Sequence, residues 1–358
     1  MICAVIATAN SGLLKKSLPA YEKLAADDVV FCIIDTPETH KENEKIISQS
    51  KATVVHIEEN AFRESLREEM RFVFAGNHGG VRNIGLAIAY KQKAHCVFLD
   101  DDTLPANDVF SLYKQAFGQG EQIVCGRYLK HAGGTSSLLA STMHSLDELQ
   151  QKRISGAEAS KRMDSFFRGI PLSTEKPVQN AGLVGGNLGV SLETLSHYCF
   201  FPTSFRVEDG IFGSLAHHYA SDVSNPAEAP LVYHDKTPGP LDTLYANLIS
   251  EAKGSVIGVL IQQQLADKAK DRPVTQVQLE QVAWLVFKNS LLEQLHEKDK
   301  LNKFGDLVKK LDEPCRREYS RLLSITREQI TPPLDFTQRQ VSLFFKTQKH
   351  WNNVLDAV

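Results

Sequence analysis

Three features of this 358-residue sequence predict an α/β fold, with a mainly parallel sheet followed by an all-helical region. Apolar runs of strand length alternate with helical patterns over roughly the first 130 residues, the arrangement that places helices on the faces of a parallel sheet. One of those runs, Ala94 to Leu99, is continuously apolar and ends in Asp100-Asp101-Asp102, as suits a strand covered on both faces. Strand patterns then vanish beyond about residue 240, and long helical periodicities take over.

In order, Ile2 to Ala7 is the first strand, and Asn10-Ser11-Gly12 turns the chain into a helix carrying Leu14, Leu18, Tyr21 and Leu24. Pro19 should kink or delay that helix. Val29 to Ile34 reads as the second strand, ending at Asp35-Thr36-Pro37. A polar helix around 38–50, a strand at Thr53 to Ile57 and a helical or loop-like 59–74 follow. From Gly79 a glycine-loosened turn leads to a short helix with Asn83 as N-cap and Ile84, Ala87, Ile88 and Lys91 on one face. Ile123 to Gly126 is another short strand, and Ser145 to Asp164 reads as one helix. Gly185, Gly186 and Gly189 surround a strand at Asn187, followed by a helix near 192–197. Phe205 to Gly210 precedes a helix bearing Ile211, Phe212, Leu215 and Tyr219, and Pro230 to His234 is the last strand. Pro273, Pro314 and Pro332-Pro333 separate the later helices. The clearest of these spans 274–295, with Val277, Val282, Leu285, Val286, Leu292 and Leu295 near one face. The division expected is 1–240 for the sheet domain and 241–358 for the helical one.

A hydrophobic content of 42% and a charged content of 23% are those of a globular protein with a sizeable core. The net charge of -3 leaves no basic footprint for nucleic acid. The apolar N-terminus lacks a basic leader and reads as a strand. No apolar run approaches the ~20 residues of a membrane span, the late run Val256 to Ile261 breaking at Gln262. Six cysteines without metal-ligand spacing read as small buried hydrophobes in a reducing, cytoplasmic setting.

The chemistry gathers in three places. Asp100, Asp101 and Asp102 leave the C-terminal end of a strand, the edge where open α/β sheets bind ligands. Three adjacent carboxylates repel one another and call for positive charge, such as a divalent metal carrying a nucleotide diphosphate. The bland alternative is a solvated loop capping the next helix, with Pro105 and Asp108 at its start. Glu208-Asp209 either favours the positive end of a helix or supplies a general base for an acceptor hydroxyl. His234 at a strand end is an acceptable ligand for Mn²⁺ and less so for Mg²⁺. Lys236, two residues on, could neutralise a phosphate.

Asn10 after the first strand, Asp35 after the second, Arg82-Asn83 before a helix, a strand ending Asp-x-Asp, Gly185-Gly186-Asn187 and Glu208-Asp209 occur in the order and spacing of a known pattern. Together they resemble the GT-A fold nucleotide-sugar glycosyltransferases, most closely those of the family 2 type, over roughly residues 1–240. The resemblance implies a Rossmann-like GT-A fold and a soluble enzyme that transfers a single sugar from a nucleotide diphosphate sugar, UDP favoured, to an acceptor hydroxyl. It implies that Ala7, Thr8 and Asn10 lie near the nucleotide, that Asp35 meets the base, and that Arg82 meets base or phosphates. Asp100 would bind the ribose, with Asp101 beside it. Asp102 would ligate Mn²⁺ or Mg²⁺, and Asp209 would be the base of an inverting displacement, with Glu208 as its substitute.

The sequence departs from that pattern at Ala7, where the family commonly has Pro, and after Asp35, where Thr36-Pro37 replaces a Ser- and Asp-rich continuation. No Gln-x-x-Arg-Trp motif occurs, which argues against a processive synthase. A sugar-phosphate nucleotidyltransferase needs a glycine-rich, Arg-containing loop after the first strand, and Ala7-Thr8-Ala9-Asn10-Ser11-Gly12 does not supply one. A non-catalytic scaffold using its helical tail for binding is the other alternative. That tail is expected to cap the acceptor site or to form a homo-oligomer interface.

Overall fold

The most apolar run at the start of the chain, ICAVIAT, becomes the interior strand β1 (Ile2–Thr8) of a sheet in a computed structural model. The structure describes all residues except 76–77, 130–133, 172–184, 204, 220, 236, 268–271 and 302. The strands after β1 are β2 (Val29–Asp35), β3 (Thr53–Glu58), β4 (His95–Asp100), β5 (Thr103–Pro105), β6 (Ile123–Cys125), β7 (Arg127–Leu129), β8 (Asn187–Val190), β9 (Val223–Ser224) and β10 (Leu231–His234). They form a seven-stranded sheet of order β3-β2-β1-β4-β8-β6-β9 and a three-stranded sheet of order β5-β10-β7. In the larger sheet only β8 runs against its neighbours, β4 and β6. The expected α/β class, mainly parallel and followed by helices, is what the chain adopts.

One face of β1, β2 and β4 presents Ile2, Ala4, Ile6, Phe31, Ile33, Val97 and Leu99, all buried. Leu14, Leu18 and Tyr21 of the Ser11–Glu22 helix cover it, with Phe110 and Tyr113 of the Val109–Gly118 helix. Each of the larger of these side chains contributes roughly 1.5–3 kcal/mol on burial. Asn10 caps the first helix, accepting from Gly12 N at 3.0 Å and Leu13 N at 3.3 Å, and Pro19 is accommodated inside it. Asp108 caps the Val109–Gly118 helix, accepting from Ser111 N at 3.2 Å.

The chain divides into two compact units, and the division is not a single cut near residue 240. One unit comprises 1–129, 175–235 and 342–358; the other comprises 130–174 and 236–341. In the first unit, residues 342–358, the end of the Leu334–Ala357 helix, pack against the sheet's own segments. Trp351, 1% exposed, donates from Nε1 to Leu195 O at 2.8 Å, and Gln348 bonds both backbone groups of Cys199. Here lies the reason that residues 192–197 form turns rather than the expected helix: the Leu195 carbonyl is spent on an indole.

The expected Asn83 N-cap is also corrected. The helix runs His78–Lys91, and Asn83 lies buried within it. Its Nδ2 donates to Val73 O at 2.8 Å and Phe200 O at 3.0 Å, while Oδ1 accepts from Phe200 N at 2.8 Å. An amide joining two buried loops outweighs one local cap.

The second unit is helical. The stretch read as one helix over 145–164 is two, Thr135–Gln150 and Gly156–Phe167, broken where Lys152 takes φ 56°. The expected 274–295 helix likewise splits into Gln276–Asn289 and Leu292–Lys300 at Leu291, φ 65°. Within the first of these Val282 and Val286 lie on the buried face while Val277 and Leu285 lie on the exposed one, and Leu292 and Leu295 of the second are buried. The Thr243–Ala266 helix is long and apolar enough, by length and composition, to cross a membrane, which the sequence reading had not anticipated. Half of its most apolar window is buried inside the fold, including Leu248, Val256, Ile257 and Ile261. All six cysteines are free and buried, as read.

Candidate active site

Parallel pairing sets the first part of the site. In register, Thr8 lies opposite Asp35 and Ala7 opposite Asp100, so the C-terminal ends of β1, β2 and β4 form one edge. Ala7 is exposed there, while Thr8 is buried and donates from Oγ1 to Asp101 Oδ2 at 2.7 Å. The acids then turn into β5, whose antiparallel pairing with β10 sets Thr103 opposite His234. That register brings His234 Nε2 to 3.0 Å from Asp102 Oδ2, across 132 residues of sequence. Asp235 N donates to Asp102 O at 2.7 Å, and the Asp235 carboxylate pairs with Lys16.

The antiparallel strand β8 supplies the next part. Asp100 N donates to Gly186 O at 3.1 Å, and Gly185 N donates to Asp209 Oδ2 at 2.9 Å. The glycines are needed for close approach: a Cβ at Gly186 would stand 1.8 Å from Asp100 Oδ2, and one at Gly185 2.1 Å from Arg82 Cζ. Glu208 and Asp209 open the Glu208–His218 helix rather than preceding it. Arg82, from the His78–Lys91 helix, donates from Nη1 to Glu208 Oε1 at 2.8 Å and to the Asp209 carboxylate. Its guanidinium lies over the Phe200 ring, 5.5 Å from the centroid.

Electrostatics join these parts into one field. Burial raises Asp100 above the carboxylate range; Arg82 opposes that rise, Asp102 adds to it, and His234 and His78 oppose it. Asp101 is pushed up to about 6 by burial, against its bond from Thr8. Asp209 is also raised to about 6 by burial, with Arg82 pulling the other way and Glu208 and Asp100 reinforcing the rise. Burial would lower the Arg82 pKa, yet Asp209, Glu208 and Asp100 hold it above its ordinary value. Asp209, Glu208 and Asp100 thus share the guanidinium of Arg82, while Asp102 faces the His234 imidazole. Carboxylates gathered in this way can hold a cation.

Not every expected residue joins this cluster. The Asp35 side chain is 0% exposed, and its carboxylate accepts from Asn43 and faces His40 and His56. No surface of it is left for a base. Asn10 commits its side chain to the helix cap. Lys236 lies outside the described residues. Tyr128 was missed by sequence reading: its buried ring approaches His234, with centroids 6.1 Å apart, and Asp100 is among the charges that raise its phenol. The pairing of β7 with β10 puts it there, and that pairing leaves no mark in a three-residue strand.

No family model matches this chain, and no curated protein matches it. Among solved structures, mouse xyloside xylosyltransferase 1 in its apo form is similar at 11% identity and a TM-score of 0.31, covering 54% of this chain and 67% of that one. A 4-diphosphocytidyl-2C-methyl-D-erythritol synthase from Anaerococcus prevotii is similar at 12% identity and a TM-score of 0.36, covering 69% of this chain and 96% of that one. At these scores the likeness carries no weight; the architecture stands on its own strand order and register.

Proposed function

We propose that this chain is a metal-dependent glycosyltransferase that moves a single sugar from a nucleotide diphosphate sugar, UDP favoured, to an acceptor hydroxyl. The observation that carries this reading is the meeting of Asp100, Asp101 and Asp102 with Arg82, Asp209 and His234 at the C-terminal edge of a parallel sheet.

The donor set fits a divalent cation. Asp102 and His234 offer oxygen and nitrogen 3.0 Å apart, and burial of the adjoining Asp100 and Asp101 disfavours their charged forms unless a cation offsets it. Asp102 and His234 would hold Mn²⁺ or Mg²⁺, which offsets the charge growing on a departing diphosphate. Asp100, at the strand end, would bind the ribose hydroxyls, with Ala7 and Thr8 at the same edge.

Asp209 is the base. With its pKa raised to about 6 it is ionised at neutral pH yet basic enough to take the acceptor's proton. Arg82 and Gly185 N fix the direction of its carboxylate, leaving the other lone pairs for the hydroxyl. Attack from the base's side suits inversion. Glu208, tied to the same guanidinium, keeps Arg82 in place.

A thermal-shift panel of nucleotides and nucleotide sugars, with and without Mn²⁺, tests the donor class. The expected result is a metal-dependent rise for one nucleotide family, together with sugar transfer or donor hydrolysis. Binding without turnover in any acceptor screen would favour the non-catalytic scaffold. No metal-dependent response to any nucleotide would remove the proposal.

A further inference from the structure

Beyond the acidic edge, the sheet carries a second group of metal-binding side chains with a different chemistry. The end of β2 supplies Asp35, the first residue of the His40–Ile47 helix supplies His40, and the middle of β3 supplies His56. His40 Nδ1 lies 2.8 Å from Asp35 Oδ1, and His56 Nε2 lies 2.7 Å from Asp35 Oδ2. The two imidazoles stack, with centroids 4.2 Å apart and planes 23° from parallel. Among the described residues this is the set of three such donors whose ligand atoms all lie within 4.8 Å of one another.

Charge balance explains why such an arrangement favours a cation. The Asp35 side chain is 0% exposed, and among the described residues its ion pairs are to these two imidazoles alone. A buried carboxylate needs a positive partner. One divalent ion would neutralise the buried carboxylate while both rings bind it in their neutral form. Each neutral ring then carries its hydrogen on the nitrogen turned away from the ion.

A further donor stands next to them. Asn43 is fully buried and gives its Nδ2 to Asp35 Oδ2 at 2.9 Å, while its Oδ1 has no hydrogen-bond partner. Turning that amide over would offer the oxygen at the same point.

We propose that Asp35, His40 and His56 form a binding site for a borderline transition-metal ion, Zn²⁺ in the first place, that fastens β2, β3 and the intervening helix together. Two imidazoles and a carboxylate select such an ion over Mg²⁺ or Ca²⁺, the reverse of the oxygen-rich edge around Asp102. His40, 34% exposed at its side chain, is the route of entry and leaves a position for water. The site does not depend on the reading of the acidic edge.

The test uses the full-length chain stripped with a chelator and titrated with Zn²⁺, and with Co²⁺ for its visible spectrum. One Zn²⁺ per chain is expected beyond any held at the acidic edge, its affinity at least tenfold weaker in His40→Ala and in His56→Gln and unchanged in Asp102→Ala. Metal-free melting curves of the variants separate loss of ligand from loss of fold. In the wild-type protein, Zn²⁺ should also shield His40 and His56 from acylation, mapped by mass spectrometry. No Zn²⁺ binding by the wild-type chain, equal binding in both His variants, or unshielded His40 and His56 would overturn the proposal.

Discussion

A single nitrogen of Arg82, Nη1, donates to both Glu208 and Asp209, residues 126 and 127 positions further along the chain. Both carboxylates share that one guanidinium, and Asp100 lies in the same field. Arg82 both organises the acids and limits how far they are neutralised.

Removing that guanidinium should be costly. Arg82→Ala leaves two acids without their partner, and breaking a buried pair costs about 3–5 kcal/mol. Arg82→Lys should lose less, because an ammonium retains the charge without the planar fork. Urea denaturation of the two variants checks the order; equal and negligible losses would contradict it.

The pH dependence of transfer should follow Asp209. Its raised pKa of about 6 means the base is ionised above that pH and protonated below it. Turnover should rise with pH up to about 6 and level off, and Asp209→Asn should lower kcat by about 10²–10⁴. The same shift makes the folded state hold a proton that the unfolded chain has already released between pH ~4 and ~6. Stability therefore declines with rising pH across that window, by at most about 1.4 kcal/mol per unit for this group, and is level above it. A pH–rate profile and pH-dependent melting of wild type and Asp209→Asn examine both limbs.

Metal linkage should run through Asp102. At a hundredfold excess of Mn²⁺ over its Kd, wild-type protein should gain about 2.7 kcal/mol of stability. In Asp102→Ala that gain should disappear while the metal-free protein stays folded, since the carboxylate is partly exposed. A Mn²⁺ response that survived the substitution would assign the metal elsewhere.

Gly186→Ala should disturb the site with little change in its charge. The added methyl would lie 1.8 Å from Asp100 Oδ2, so the carboxylate must be displaced. A stability loss of about 1–3 kcal/mol is expected, as for other overpacked positions. Donor binding should fall with it, which a nucleotide-sugar titration would register.

Trp351→Ala should destabilise the sheet unit by about 3–5 kcal/mol, the range for losing a buried Trp. The indole is 1% exposed and bonded to Leu195 O at 2.8 Å. Urea unfolding of wild type and Trp351→Ala, followed by far-ultraviolet circular dichroism, would measure the loss.

Periodicity made the sheet legible because strands buried on both faces, such as VVFCIID and HCVFLD, have no competing reading once helices separate them. The acids at 100–102, 208 and 209 are conspicuous for a related reason: charges at strand ends and helix starts stand out against apolar surroundings. Other features depend on distant partners and leave no local trace. Asn83 looks like a cap until Phe200 claims its amide, and Asp35 looks available until His40, Asn43 and His56 enclose it. The helix breaks at Lys152 and Leu291 fall at residues with no intrinsic preference for positive φ, so only packing could place them. The compact units differ from a cut at residue 240 for the same reason, since residues 342–358 belong with the sheet unit from far along the chain.

That late return has a consequence for biosynthesis. A nascent chain emerging from the ribosome would carry β1 to β10 long before Trp351 reaches Leu195 and Gln348 reaches Cys199. Until then Phe201 lacks the Phe344 ring that meets it edge-on, and Leu195, Cys199 and Phe201, all buried in the folded chain, lack these partners. Chains terminated before residue 342 would leave those side chains without that cover, giving chaperones and proteases a way to recognise them.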